Sequence, residues 1–351
     1  MSVNVLMCTY NGENYLREQI DSILAQTYEE LRLFVRDDGS TDGTMHILDE
    51  YVNKYPNKVI KMDTPQHLGY PDCFWDMLLR CPVADYYAFS DQDDAWAPEK
   101  IECAVKMLSK AANDADSGLS GTNKNANETE RGDVYSPIPV LYIHDYDNCD
   151  GALKVMSHHS LGSIDVLSDM SILFYTYASG FCMVINNSMR DMLNNMDLIG
   201  KSMYHDELCI WTAHFHGRIL YDDRTLTKYR RHEATVTEYG NGIPTLISNW
   251  IRREIMGPEF GQKCTRIRTF LKLEKALETN NEYQPDIESK DKGIINRRMP
   301  VGLRRNWYLL SGGRMTIPRY LKRLLFPHRL RPSIGGEIAL RIMFLMGKCS
   351  N

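Results

Sequence analysis

Over its first hundred residues the chain switches repeatedly between two periods of hydrophobicity, and no other feature restricts its fold as much. Residues 3–8, 31–36, 59–62 and 86–89 are short apolar runs of β-branched and aromatic character. Between them, apolar residues recur at helical spacing: Tyr15, Leu16, Ile20, Ile23 and Leu24, then Met45, Ile47, Leu48, Tyr51 and Val52, then residues 74–79. A further helix is expected after Pro98, with Ile101, Ala104, Val105 and Leu108 on one face. Strands alternating with helices of this length predict an α/β fold, a Rossmann-like, mostly parallel sheet flanked by helices. Ligands of such sheets bind beyond the carboxyl ends of the strands. Those ends carry Thr9-Tyr10-Asn11, Asp37-Asp38-Gly39-Ser40 and Asp91-Gln92-Asp93-Asp94, so three polar clusters are expected on one edge.

Each cluster has a structural and a chemical reading. Carboxylates at i and i+2, as in Asp91-x-Asp93, offer hard oxygen ligands to Mg²⁺ or Mn²⁺, ions that share their shell with substrate phosphates; acidic turns are also commonly just solvated. The segment 37–43 reads as a turn with a helix cap, and an aspartate there can also accept from a nucleobase imide or a ribose hydroxyl. Neither GxxxxGK[ST] nor GxGxxG occurs. His205-Asp206-Glu207 precedes a helical run, where it is either a cap at the positive end of the helix dipole or a general base. Tyr229-Arg230-Arg231-His232 is either a neutraliser of a leaving diphosphate or an exposed basic strand end. His158-His159 is assigned a structural role.

After about residue 240 the alternation stops. Residues 241–351 read as a helical, basic region, for example helices over 245–256 and 263–278, and residues 113–133 read as a polar surface loop. From Lys292 to Lys348 there are thirteen bases and one acid, Glu337; the rest of the chain holds 28 of its 41 bases and 45 of its 46 acids. Among those bases stand Trp307, Tyr308, Leu309, Leu310, Tyr320, Leu321, Leu324, Leu325 and Phe326, a pattern that fits an amphipathic segment on an anionic membrane surface. Docking on the acidic body of the chain and an oligomer contact are the alternatives. Nucleic acid is not expected, since no binding motif for it occurs. The chain start lacks a basic, long-apolar leader, and no apolar run reaches the ~18–20 residues of a membrane span; Arg341 interrupts the apolar stretch 338–346. Nine scattered cysteines without a CxxC pair suggest neither a disulfide framework nor a zinc site, only reduced thiols.

In combination these residues resemble a family 2 glycosyltransferase with the GT-A fold, over about residues 1–240. The resemblance rests on Cys8-Thr9-Tyr10-Asn11-Gly12, DDGSTDGT at 37–44, Leu68-Gly69, SDQDDAW at 90–96, the segment 178–183, His205-Asp206 and Tyr229-Arg230-Arg231-His232. Within the family, the SDQDDxW, HD and YRxH motifs look like those of bacterial rhamnosyltransferases of cell-surface polysaccharide synthesis.

The resemblance implies an inverting transferase that moves a hexose from a nucleotide-diphosphate sugar to a hydroxyl of a glycan, with Mg²⁺ or Mn²⁺ as cofactor. Thr9, Tyr10, Asn11 and one of Asp37 or Asp38 would hold the base and ribose, with Gly69, Asp91, Gln92 and Arg231 also on the nucleotide-sugar side. Asp93 would ligate the metal, with His232 over the metal or diphosphate. Asp206 would be the catalytic base. Ser179, Gly180, His205, Glu207 and Trp211 would shape the acceptor site. L-rhamnose from dTDP-rhamnose is the expected donor; UDP-glucose, UDP-galactose and UDP-N-acetylhexosamine are the alternatives. Acceptors of the group are polyprenyl-diphosphate-linked glycans, which places the expected enzyme in the cytoplasm, on the inner face of the membrane. The chain departs from the family in three ways: it has no QxxRW, has His67-Leu68-Gly69 where Asn-x-Gly is usual, and has HDEL where the rhamnosyl group has bulky aromatics. A nucleotidyltransferase would need a basic, Gly-rich phosphate loop that is absent. A non-catalytic nucleotide-sugar-binding scaffold of a polysaccharide assembly complex is the remaining alternative.

Overall fold

A central strand buried from end to end fixes the architecture. β1 (Val3–Thr9) has almost no solvent contact, as its continuous apolar run requires of a strand covered on both faces. Even its Asn4 is interior, donating to the Pro82 carbonyl at 2.7 Å. β1 pairs in parallel with β2 (Leu31–Asp37) on one side and β4 (Tyr86–Ser90) on the other, and β3 (Val59–Lys61) extends β2 in parallel. The computed structural model describes residues 1–64, 66–119, 138–162, 168–232, 252, 256–279, 299–312, 316–331 and 333–347.

The helices sit where the periodicity predicts. α1 (Leu16–Leu24) buries Leu16, Gln19, Ile20 and Ile23, and α2 (Thr44–Lys54) buries Ile47, Leu48 and Tyr51. α3 is Asp72–Arg80. α4 (Lys100–Leu119) continues into the segment expected to be a loop, and the rest of that segment lies outside the described residues. Ala111 and Ala112 are buried on α4, so the core side of the helix persists after the large apolar residues end.

The second half of the sheet is mixed. β8 (Met183–Asn186) runs antiparallel to β4 and to β6 (Val140–Cys149). β6 pairs in parallel with β9 (Arg218–Arg230) along its whole length and antiparallel with β7 (Val155–His159). The two-residue β5 (Ala95–Trp96) closes on β9, giving the order β3-β2-β1-β4-β8-β6-β9-β5. The expected α/β plan of a sheet flanked by helices is the one found. The chain passes from β1 to β2 on one side and returns through β3 to β4 on the other, so the carboxyl ends of β1, β2 and β4 meet at a topological switch point.

Among the described residues, 1–162 and 178–231 form one compact unit, and 168–177, 232, 252–279 and 299–347 a second. In the first, α5 (Asn187–Asn194) and α6 (His205–His216) follow β8. The second is helical: α7 (Glu259–Thr279), α8 (Val301–Ser311), α9 (Ile317–Leu324) and α10 (Ile334–Leu345). Its core holds Phe174, Phe260 and Phe344 with ring centroids 5.9–6.3 Å apart, and Phe270 against Trp307 at 6.1 Å. The expected helix 245–256 falls mostly outside the described residues, whereas that over 263–278 lies within α7. No helix among the described residues is long and apolar enough to cross a membrane.

The basic, aromatic tail is built differently from its linear pattern. Trp307, Leu310 and Phe326 are buried in the second unit. Arg323 is buried too, its guanidinium donating to the carbonyls of Leu309 (2.7 Å) and Gly312 (2.8 Å). Arg341 serves the carbonyls of Arg323, Leu324, Phe326 and His328. Carbonyls at helix ends have no partner within the helix, so part of the tail's charge is spent on them.

Candidate active site

Thr9, at the end of β1, donates from its hydroxyl to Asp37 Oδ1 at 2.9 Å. The same carboxylate accepts from Ser40 Oγ (2.5 Å) and from the N–H groups of Gly39 (3.1 Å) and Ser40 (2.9 Å). Asp38 is equally engaged. It pairs with buried Arg36, accepts from the N–H groups of Leu68 (2.9 Å) and Gly69 (2.7 Å), and lies 2.9 Å from His67 Nδ1. A carboxylate has about four acceptor sites, so both aspartates are fully used in folding the loops around them. A ligand reaching either one displaces a donor already there. Gly69, at φ +70°, fits this left-handed turn without a Cβ penalty. What the loops leave open is aromatic: Tyr10 is 52% exposed, with His67 5.7 Å away between ring centroids.

Asn11 joins this rim to the next. Its backbone N–H donates to Ser40 Oγ at 2.9 Å, and its side-chain oxygen accepts from the Thr41 N–H at 2.8 Å. Gln92, inside the acidic turn, clasps Tyr10 from the other side: its Oε1 accepts from the Tyr10 N–H (2.9 Å) and its Nε2 donates to the Tyr10 carbonyl (3.0 Å). Gly12 is needed here, since a Cβ would lie 2.3 Å from Gln92 Oε1.

The acidic turn follows β4. The enclosed position of Asp91, together with the charges of Asp93 and Asp206, pushes its carboxyl up to about 7. Asp94 is raised as well, first by burial and then by Asp91 and Asp93. One of its oxygens accepts from the Arg230 N–H at 3.1 Å; the other is buried without a hydrogen-bond partner. No three His, Cys, Asp or Glu side chains among the described residues form a self-sufficient metal site. The surplus of negative charge and the orphaned oxygen nevertheless fit a hard divalent cation that completes its shell with phosphate and water oxygens, with Asp93 at the turn as protein ligand.

Asp206 occupies the first turn of α6, half-buried, and accepts from the Glu207 N–H at 2.7 Å. It is close enough to Asp91 to perturb it, so the acidic turn and the start of α6 face one space. His205 points the other way. Its ring lies between Phe74 (4.4 Å) and Phe89 (4.7 Å), and burial drives it down to about 3, so it is neutral. Gly180 carries no Cβ because one would fall 1.9 Å from His205 Nε2. Ser179 precedes a short turn over Gly180–Cys182. Glu207 and Trp211, expected at the acceptor, are 4% and 1% exposed and belong to the inner side of α6. With His205 they support the helix from beneath and leave Asp206 and Tyr204 at its accessible end.

Arg231 is held by the Asn148 side chain at 3.2 Å, and its N–H bonds the Cys149 carbonyl at 2.8 Å, at the edge of β6. His232 belongs to the second unit. The arginine that touches the acidic turn is its neighbour. Arg230 is buried, donates from Nε to the Asp93 carbonyl at 2.7 Å, bonds the Gly151 carbonyl, pairs with Glu18, and lies 4.5 Å over the Tyr15 ring. Strand alternation puts residues 230 and 231 on opposite faces, but nothing local says which face is inward. A second unanticipated residue is Lys100, whose buried Nζ donates to the Phe181 carbonyl (2.6 Å) and Thr227 Oγ1 (3.1 Å), 3.5 Å over the Trp96 ring. Burial lowers its ammonium to about 7. His158-His159 lies on β7, with His158 3.2 Å from Asp147.

Comparison with known proteins points to one family. The glycosyl transferase family 2 model matches residues 4–162. An uncharacterised glycosyltransferase of Haemophilus influenzae is 38% identical over 108 residues, 31% of this chain and 33% of that protein. The dTDP-rhamnosyl transferase RfbG of Shigella flexneri is 35% identical over 105 residues, 29% of this chain and 36% of that protein. The chain thus spans about a third of the length of these curated relatives. Among solved structures, a mannosyltransferase of Pyrobaculum calidifontis in complex with GDP-Man and Mn²⁺ aligns at 13% identity, covering 99% of this chain and 74% of that one, with a TM-score of 0.47. From β1 through the acidic turn and on to residue 162, this chain is a glycosyl transferase family 2 domain.

Proposed function

We propose that the protein is an inverting, divalent-cation-dependent hexosyltransferase that takes its sugar from a nucleotide-diphosphate donor. The observation that carries this reading is the convergence of Asp91 and Asp93, at the end of β4, with Asp206, at the start of α6. The nucleotide docks at the rim formed by Tyr10, Asn11, the 37–40 turn and Gly69, with its base against the exposed Tyr10 and His67 rings. The sugar and diphosphate extend over Asp91 and Gln92 toward Asp93.

Asp206 accepts the proton of the acceptor hydroxyl while that oxygen attacks the anomeric carbon. Attack opposite the departing diphosphate inverts the centre, and no enzyme carboxylate forms a covalent intermediate. A divalent cation on Asp93, when bound, supplies charge neutralisation to the leaving diphosphate. Buried Arg230 holds the turn that presents Asp93, and buried His205 fixes the start of the helix that presents Asp206.

The donor we propose is dTDP-rhamnose, supported by the 35% identity over 105 residues to the Shigella dTDP-rhamnosyl transferase. The acceptor is a polyprenyl-diphosphate-linked glycan of cell-surface polysaccharide synthesis, met at the inner face of the cell membrane. The test is nucleoside-diphosphate release from a panel of sugar nucleotides, with Mg²⁺, Mn²⁺ or chelator, with and without a lipid-linked acceptor extract. We expect one donor to give release that needs the cation and is stimulated by acceptor. Release unaffected by chelator, or by Asp206→Asn, would overturn the mechanism.

A further inference from the structure

The second unit carries two rows of bare aliphatic side chains. On α9, Ile317, Leu321 and Leu325 recur at four-residue intervals and are 79%, 46% and 72% exposed. On α10, Ile334, Ile338, Ile342 and Leu345 form a second exposed row, opposite the buried Leu340, Met343 and Phe344. A helix that is apolar on both sides in this way has one face without a partner among the described residues. The rows are tied together: Tyr320 Oη donates to the Leu345 carbonyl at 3.0 Å, and Arg341 binds carbonyls beyond the end of α9. Contiguous exposed apolar surface of this kind marks an interaction site.

The charge around the rows selects the partner. Residues 316–347 contain six bases and one acid. That acid, Glu337, is consumed by Arg341 (2.7 Å) and by the N–H groups of Leu330 (2.8 Å) and Arg331 (2.9 Å). Lys322 is exposed beside the α9 row, and Arg329 is exposed in the turn that follows. A second copy of this face would bring like charges together. Eight and twelve residues are too few to span a bilayer. We propose that α9 and α10 are a docking face for an anionic bilayer: the two aliphatic rows enter the headgroup boundary and the flanking bases meet acidic headgroups. This deepens the lipid-linked acceptor reading and rests on it for its purpose, but the physical claim concerns binding alone.

The test is flotation of the full chain with vesicles of phosphatidylglycerol in phosphatidylcholine, and with vesicles of phosphatidylcholine alone. We expect binding to the anionic vesicles that weakens with salt. Leu321→Ser with Leu325→Ser, and separately Ile338→Ser with Ile342→Ser, should each weaken it by about tenfold or more. Lys322→Gln with Arg329→Gln should remove part of the salt dependence. Ile199→Ser, an exposed aliphatic of the first unit, should change nothing. All these side chains are exposed, and circular dichroism verifies folding. A chain that stays with the soluble fraction, row variants that float like the parent, or rows whose substitution only dissociates a dimer would each overturn the proposal. Nucleoside-diphosphate release on the same preparations separates the two readings. Flotation without transfer rejects the transferase alone; transfer without flotation rejects the docking face alone.

Discussion

Arg230 donates from its guanidinium Nε to the Asp93 carbonyl at 2.7 Å and from its backbone N–H to Asp94 Oδ1 at 3.1 Å, gripping the acidic turn at two successive residues. The grip depends on the planar fork of arginine, because the same side chain also reaches Glu18 and Gly151. Arg230→Lys keeps the charge and loses the simultaneous reach. We expect it to raise the cation concentration for half-maximal nucleoside-diphosphate release by about tenfold and to lower kcat/KM by about a hundredfold. Titration of release with Mn²⁺ measures both. A cation requirement equal to that of the parent would show that the grip is structural only.

Asp93→Asn and Asp206→Asn should fail in different ways. The first should weaken cation-dependent donor binding. The second should leave donor binding in place and lower kcat by about 10²–10⁴, the range a positioned general base contributes. Calorimetric donor titration beside turnover separates them, and equal loss of donor affinity in both would contradict the assignment.

The acidic turn also makes stability depend on pH. The Asp91 carboxyl stands near 7 in the folded chain against an ordinary 3.8, so the folded state holds a proton that the unfolded state releases. That contribution is full below pH ~4 and disappears as pH rises through 7, a loss on the order of 4 kcal/mol. Mn²⁺ should therefore raise the melting temperature more at pH 8 than at pH 6. Asp91→Asn should flatten the difference, and thermal melts across that range are the measurement.

Gly180→Ala should act on Asp206 from a distance. Its new Cβ would meet His205 Nε2 at 1.9 Å, and the ring cannot retreat between Phe74 and Phe89. Overpacking of this kind costs about 1–3 kcal/mol. We expect a lower urea midpoint together with reduced kcat and unchanged donor KM, because α6 starts at His205.

The strand ends were legible because a polar residue stops an apolar run: Thr9 after 3–8, Asp37 after 31–36 and Asp91 after 86–90. Parallel topology then places such stops on one edge. Arg230 was not legible, since its contact depends on how β9 registers against β5, with Ala95 opposite Lys228. The engagement of Asp37 and Asp38 was hidden for a related reason. The donors to Asp38 include main-chain N–H groups of Leu68 and Gly69, about thirty residues further along, and Asp37 accepts from Thr9, 28 residues before it.

The tail shows a different limit. Helical spacing groups residues on faces but does not say which face is inward. Trp307 and Phe326 read as well as Ile317 and Ile338 for an exposed apolar row, yet the first pair is buried and the second is bare. Residue type does not decide this, since Leu310 and Leu340 are buried and Tyr308 is exposed; the packing of neighbouring helices does.

The two hydrogen bonds between the Gln92 side chain and the Tyr10 backbone join the base-side rim to the cation-side turn through one side chain flanked by Asp91 and Asp93. On the proposed reading, donor and metal would bind to a single joint, and each occupant would pre-order the other's half. Thermodynamic reciprocity then requires that whatever factor the cation adds to donor affinity, the donor adds to cation affinity. Cutting the joint should bring that shared factor toward one for both ligands at once.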